Sequence, residues 1–400
     1  MVAFAINPGY EVNSVQANGQ PVPFEIDNYQ ESNMALLNVT IPDLESIDLC
    51  FDYQGFPQDW NLMETMQGKP EISSKYLCLE NQTLAPMIMN VGTADGLFSS
   101  ITDITLPDTM TVIPFGLAEA KKEVEHDNGT ITWRIEDTGT GGILYAGDYV
   151  RQDIDAAGTS IQFYYGRKHH PIMEEANAAE AIQTVMEYCS SHYGVPSFSS
   201  LDSLKLIQGR VAGGGYAVSG ASLMDEQDFT AQNLHNSEKG GIPGEVMIHE
   251  LVHQWWGLGA MFDVSQPDSA WSAEGLTVYT TYRIIKELYG EAYAKENYID
   301  QWKTAVDDYY HNFYIRNPQY LEALPEEKRL DISNQLSNMR YYNEMPLKIL
   351  KAEELVGGEE AMDLILYQLF NRDVDPMYPY LTEQEFLNAC GLTEEDLNLD

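Results

Sequence analysis

The chain has 400 residues, 44% of them hydrophobic and 21% charged, a globular composition long enough for two domains. Its 22 Lys+Arg against 62 Asp+Glu give a formal charge of −40, which repels phosphate backbones and anionic lipid heads; nucleic acid and a polybasic membrane anchor are excluded as partners. No stretch approaches the ~18 consecutive apolar residues of a membrane span, and the opening MVAFAINPGYEV lacks the basic and apolar regions of a secretory signal.

Residues 1–150 read as an N-terminal β domain. Short alternating runs (VNSVQA, MALLNVTI, ESIDLCFDY, GTITWRIED, GILYAGDYV) are separated by turn signals at Asn18-Gly19, Pro42-Asp43, Asp127-Asn128-Gly129 and a glycine-rich stretch ending at Gly142. Alternation of this kind suits antiparallel sheets with one wet face. The last strand of this texture is SIQFYYG, ending at Gly166. Cys50, Cys78, Cys189 and Cys390 show no C-x-x-C pairing; Cys50 and Cys78 are either a bridge or two buried thiols.

From about residue 151 to 400 a second, mainly helical domain is expected. IMEEANAAEAIQTVMEYCSSHYG has apolar positions at helical spacing and stops on Gly194. A strand, SLKLIQ, and the glycine-rich VAGGGYAVSGASLM follow. Helical patterns then cover EVMIHELVHQWW, AEGLTVYTTYRIIKELYG, EAYAKENYIDQWKTAVDDYYHNFY, MPLKILKAEELVG, EEAMDLILYQLFNR and LTEQEFLNACG. The whole is an α+β, multidomain chain.

The sharpest pattern is His249-Glu250-Leu251-Val252-His253. On a helix, residues four apart stand on one face. Two imidazoles there converge on a point about 2 Å from each ring nitrogen, the reach of tetrahedral zinc. Glu250 points aside, placed to take a proton without ligating. The competing reading is two partly exposed helical histidines. With 8 His in the chain, a chance match arises on the order of once in a hundred such sequences. Glu274, separated from His253 by twenty residues, supplies a third ligand from the first turn of a helix that Ser272 caps, that runs from Ala273 to about Tyr289 and that Gly290 stops. Two histidines and one carboxylate leave a position open, the mark of a catalytic site holding one zinc ion.

HELVHQWWG followed by WSAEGLTVY resembles the alanyl aminopeptidase and leukotriene hydrolase family of gluzincin zinc metallopeptidases. His249, Glu250, His253, Trp255 and Gly257 match its first motif; Trp271, Glu274, Gly275 and Tyr279 match its second. The interval between His253 and Glu274 is longer than is usual in the family, with room for the excess around Asp263–Asp268. The resemblance implies an antiparallel, saddle-like N-terminal β domain followed by a thermolysin-like catalytic domain, a peptide substrate, zinc on His249, His253 and Glu274, and Glu250 as catalytic base. It also implies a tyrosine that steadies the oxyanion. Tyr342 holds that place, with Tyr341 beside it as the other choice, although Glu344 and Met345 stand where the family has lysine and glycine.

The resemblance is weakest at substrate binding. The family's G-x-M-E-N strand, whose glutamate holds the substrate amine, corresponds to Gly214, Gly215, Tyr216 and Ala217, with Ala217 or Tyr216 at the glutamate position. The glycines suit either an edge that pairs with an extended peptide or a tight turn with a bulge. An aminopeptidase with atypical recognition of the N-terminus is expected. The rivals are a weakly active or inactive peptide-binding or sensing ectodomain on the same scaffold, and a zinc hydrolase of a non-peptide bond. Acidity and the abrupt start suit an extracytoplasmic or cell-surface bacterial segment, part of a longer membrane-associated protein.

Overall fold

The computed structural model describes residues 1–29, 34–42, 47–58, 71–80, 83–89, 98–139, 143–176, 178–195, 203–210, 214–226, 245–258, 260–261, 271–374 and 380–399. Asp43, Gly141 and Gly142, and the Asp263–Asp268 interval lie outside the described residues.

The chain forms two compact units: Met1–Asp153 with Ile161–Pro171 and Ser203–Phe229, and Ile154–Ser160 with Ile172–Asp202 and Thr230–Asp400. The first unit takes residues from beyond position 150 because Thr159–Gly166, Ser203–Gly209, Ala221–Asp225 and Gly215–Val218 join Tyr149–Ala156, in that spatial order, in one five-stranded sheet.

The first unit is β. Val2–Ile6 pairs antiparallel with Met34–Val39, and Tyr10–Ala17 with Leu49–Gly55. Their apolar faces meet in a core of Phe4, Ile6, Val12, Val15, Leu37 and Val39. Asn18 and Gly19, at φ 50° and 75°, form the tight hairpin that returns Ala17 to Gln20. Further along, Thr130–Gly139 pairs with Phe98–Pro107 and Ala120–His126. There Ile131, Trp133 and Ile135 turn inward onto Leu77, Val112 and Leu144, the period of two that the sequence displays. Cys50 is exposed and Cys78 buried, and none of the four cysteines forms a disulfide.

The second unit is helical. Its longer helices are α1 (Ala178–Tyr193), α2 (Glu245–Val252), α3 (Leu276–Tyr289), α4 (Asp300–His311), α5 (Glu326–Met339), α6 (Met345–Val356), α7 (Glu359–Phe370) and α8 (Glu383–Cys390). Gly194 and Gly290, each at φ 90°, end α1 and α3 where expected. The first ten residues of α3, Leu276–Ile285, are all buried, which makes it the central helix of the unit. Two expectations need correction. Ser272 does not cap α3: Trp271–Gly275 is a π-helical turn, Ser272 is buried inside it, and the α-helix begins at Leu276. The helix of His249 ends at Val252, after which Gln254 and Trp255 bond back three residues to Leu251 and Val252 in a tightened last turn.

Candidate metal centre

Every group of the centre comes from the helical unit. His249 sits on α2 and His253 on the tightened turn behind it, with ring centroids 4.6 Å apart and planes at 89°. Their Nε2 atoms are 3.0 Å apart, and Glu274 Oε2 lies 3.2 Å from one and 3.7 Å from the other. A tetrahedral ion about 2.1 Å from each of three donors holds them roughly 3.4 Å apart, so this triangle has the size such an ion needs. Glu250 is buried and lies within the same cluster; one ligand atom each from His249, Glu250 and His253 falls within 4.8 Å of the others.

Charge separates the two carboxylates. Burial by itself raises Glu274, but the His249 hydrogen bond and the two imidazole charges, with a hydrogen bond to Tyr342, bring it down to about 2. Burial pushes Glu250 up to about 8, with Glu274 adding and His249 opposing. The surroundings thus pull the two carboxyls apart, Glu274 toward its ionised form and Glu250 toward its protonated one. The imidazoles divide in the same way. Burial and the neighbouring His249 charge hold His253 down at about 4. Burial also pulls on His249, yet the hydrogen bond and charge of Glu274, joined by Glu250 and Glu245, outweigh it and raise His249 to about 9. Two imidazole nitrogens and one carboxylate oxygen lie within 3.0–3.7 Å of one another. The donor set fits zinc.

Outer contacts orient the donors. His253 Nδ1 donates to the Trp256 carbonyl at 3.1 Å, with the Thr277 hydroxyl 3.3 Å away, which leaves the Nε2 lone pair facing the centre. Thr277 was not singled out from the sequence, although its position three residues past Glu274 places it on the same helix face. Gly257 is required for space and conformation: its φ is +88°, and a Cβ there would stand 3.0 Å from Ala273 Cβ and 3.5 Å from His253 Nδ1. Trp255 Nε1 donates to the Gly194 carbonyl at 2.7 Å, fixing the turn behind the histidines to the end of α1.

Tyr342 sits on another π-helical turn, Arg340–Glu344, which runs straight into α6. Its ring is 6.1 Å from that of His249 and 39% exposed, while the hydroxyl turns inward to Glu274. Burial of that hydroxyl and the charge of Glu274 push its pKa up, so it stays a donor. Glu344, at the family's lysine position, is buried and accepts from Tyr310 Oη at 2.8 Å and Arg340 Nε at 3.2 Å, with Lys348 Nζ 3.8 Å away. It anchors the turn that bears Tyr342.

Gly214, Gly215, Tyr216 and Ala217 belong to the β unit. Gly214 has φ +71°, and Gly215–Val218 is the outermost strand of the five-stranded sheet, antiparallel to Ala221–Asp225. Tyr216 packs its ring 6.0 Å from Phe115.

The chain is similar to known proteins. Leucine aminopeptidase 2 of Emericella nidulans is 30% identical over 116 residues, 29% of this chain and 18% of that protein. Probable aminopeptidase 1 of Sulfurisphaera tokodaii is 21% identical over 394 residues, 96% of this chain and 45% of that protein. The chain thus spans less than half the length of these curated relatives. Among solved structures, yeast LTA4 hydrolase matches with a TM-score of 0.56 at 14% identity, over 97% of this chain and 58% of that one. An M1 zinc metallopeptidase from Deinococcus radiodurans, solved with a Tyr-Ser-Ala substrate, matches with a TM-score of 0.56 at 17% identity, over 99% and 84%. At these identities the structural likeness is one of fold. The model of the peptidase family M1 domain matches residues 176–344, the span that holds His249, Glu250, His253, Glu274 and Tyr342.

Proposed function

We propose that the chain is a zinc-dependent peptidase, with one zinc ion held by His249, His253 and Glu274 in a thermolysin-like catalytic domain that follows a saddle-like β domain in the sequence. The triangle of His249 Nε2, His253 Nε2 and Glu274 Oε2, with edges of 3.0, 3.2 and 3.7 Å, carries the reading. Zinc bound there would polarise the scissile carbonyl and make the attacking water more acidic. Glu250, whose proton affinity burial raises to about 8, takes a proton from that water and returns it to the leaving amine. The Tyr342 hydroxyl, held protonated, donates to the charge that develops on the carbonyl oxygen.

The finer reading is an aminopeptidase with atypical recognition of the substrate amine. The names of the relatives from Emericella nidulans and Sulfurisphaera tokodaii support exopeptidase action. Ala217 offers no carboxylate for an ammonium, and that position also favours the second reading, a peptide-binding module with little catalysis. Digestion of a diverse peptide mixture, read by mass spectrometry with Glu250→Gln as the blank, separates them. Loss of single N-terminal residues supports the aminopeptidase, and internal cuts point to endopeptidase action. No cuts from zinc-loaded protein would overturn the enzyme reading in favour of the binding module.

A further inference from the structure

Glu274 and Tyr342 stand on π-helical turns, Trp271–Gly275 and Arg340–Glu344, each continuous with the helix that follows. A π turn lacks the tight ladder of an α-helix. The position of a side chain on it is therefore set by where the next helix is held. The first turn presses against the start of α6, where the second turn ends: a Cβ on Gly275 would lie 3.0 Å from Met345 Cβ. Apolar contact of this kind resists approach but not sliding along the helix axes.

Further on, at Tyr279 about one turn past Gly275 and at Glu353 about two turns past Met345, α3 and α6 are joined by a buried polar group. Tyr279 Oη donates to Glu353 Oε2. Arg283 NH1 donates to Tyr279 Oη at 2.7 Å and to Glu353 Oε2 at 3.3 Å. Arg283 NH2 reaches Asp363 Oδ2 at 3.2 Å and Glu359 Oε2 at 3.3 Å, both on α7. Tyr279, Arg283 and Glu353 are 0%, 5% and 7% exposed. Buried ion pairs add little net stability over apolar packing, and their best-attested use is to fix register. Charge-assisted hydrogen bonds are directional as well as strong, so a shift of either helix breaks them.

We propose that the buried Tyr279–Arg283–Glu353 group is a positioning device that fixes the separation of the Glu274 carboxylate and the Tyr342 hydroxyl. Its catalytic consequence rests on the peptidase reading above; its geometric content does not. The device acts on the tyrosine arm of the centre. The histidine-to-glutamate geometry has its own ties, through Thr277 to His253 and through the 3.0 Å bond from Trp256 Nε1 to Thr280 Oγ1.

The test uses the full chain with Tyr279→Phe and Glu353→Gln, two near-isosteric changes that each remove part of the link. With 3-fluorotyrosine at position 342, the metal-free protein is followed by 19F NMR. A resonance that shifts or splits in both variants supports the device, and an unchanged resonance in folded variants overturns it. In the zinc-loaded enzyme, Tyr279→Phe should lower kcat about tenfold, with KM within twofold and zinc affinity unchanged. In a Tyr342→Phe background the same change should cost less than twofold. A full tenfold loss in that background would overturn the proposal, because the effect would not pass through Tyr342. If the wild-type protein cleaves no peptide while the fluorine resonance still responds, the peptidase reading fails and the positioning device stands.

Discussion

A cation buried in the β unit and one buried in the helical unit are met by different chemistry. Lys205 is 2% exposed; its ammonium donates to the Gly116 carbonyl at 2.9 Å and to the Ala118 carbonyl, with the half-exposed Glu119 3.7 Å away. Neutral acceptors dominate, and burial lowers its pKa against the pull of Glu119. Arg283 meets three carboxylates, Glu353, Glu359 and Asp363, and the hydroxyl of Tyr279. Burial opposes its charge, yet Tyr279, Tyr188 and Asp363 outweigh it and raise its pKa. The first arrangement ties a loop to a strand. The second joins the helices that continue from Glu274 and Tyr342. Buried polarity in the β unit therefore serves shape, while in the helical unit it reaches chemistry, and substitutions in the two units should read out differently.

The largest effect expected is in the helical unit. Glu250→Gln keeps the size of the side chain and removes the base, so turnover should fall by about 10²–10⁴-fold, with zinc content by metal analysis unchanged. Turnover at the wild-type rate would remove Glu250 from the role. Gly257→Ala should come next, at about 2 kcal/mol of stability. The alanine must adopt φ near +88° and place a Cβ 3.0 Å from that of Ala273. A thermal midpoint equal to wild type would show that the turn behind His253 relaxes freely. Thr277→Val is nearly isosteric and should leave the fold intact while weakening zinc about tenfold by chelator competition. Unchanged affinity would mean that the Trp256 carbonyl alone orients His253.

The contrast between the units was only partly visible in the sequence. The i, i+4 histidines were legible because helical spacing dictates which side chains share a face, and Glu274 was legible as a carboxylate opening the next helix and through the second motif of the resemblance. So were α1, α3 and α6 from their apolar periodicity, and the Asn18-Gly19 hairpin from its turn chemistry. The π turns were not, since the switch from α-helix to π-helix at Trp271–Gly275 follows tertiary packing and leaves no mark on periodicity. Nor was α5, Glu326–Met339, which buries no residue and so shows no apolar stripe. Arg283, Glu353 and Lys205 went unnoticed for a related reason. A charged residue in a helix or strand pattern reads as solvent-facing, and only the fold reveals the partners that make its burial tolerable.

Lys205 gives the smallest effect and the cleanest test of the contrast. Lys205→Met keeps the volume of the stem and removes the ammonium, so the carbonyls of Gly116 and Ala118 lose a donor. The lost hydrogen bonds destabilise, and relief from burying a charge offsets part of that; the net loss at neutral pH should be about 1 kcal/mol. The sign of the pH dependence follows from the lowered pKa. A lysine that is harder to protonate in the folded state contributes stability that is complete above its unfolded value of 10.5 and is lost as pH falls through the folded value. The stability gap between wild type and Lys205→Met, measured by denaturant unfolding, should therefore widen as pH rises toward 10.5. Peptide turnover and zinc affinity should not change, since the substitution lies in the unit where buried polarity serves shape. A fall in kcat without loss of stability would break the comparison, because a buried cation of the β unit would then be acting on the chemistry as well.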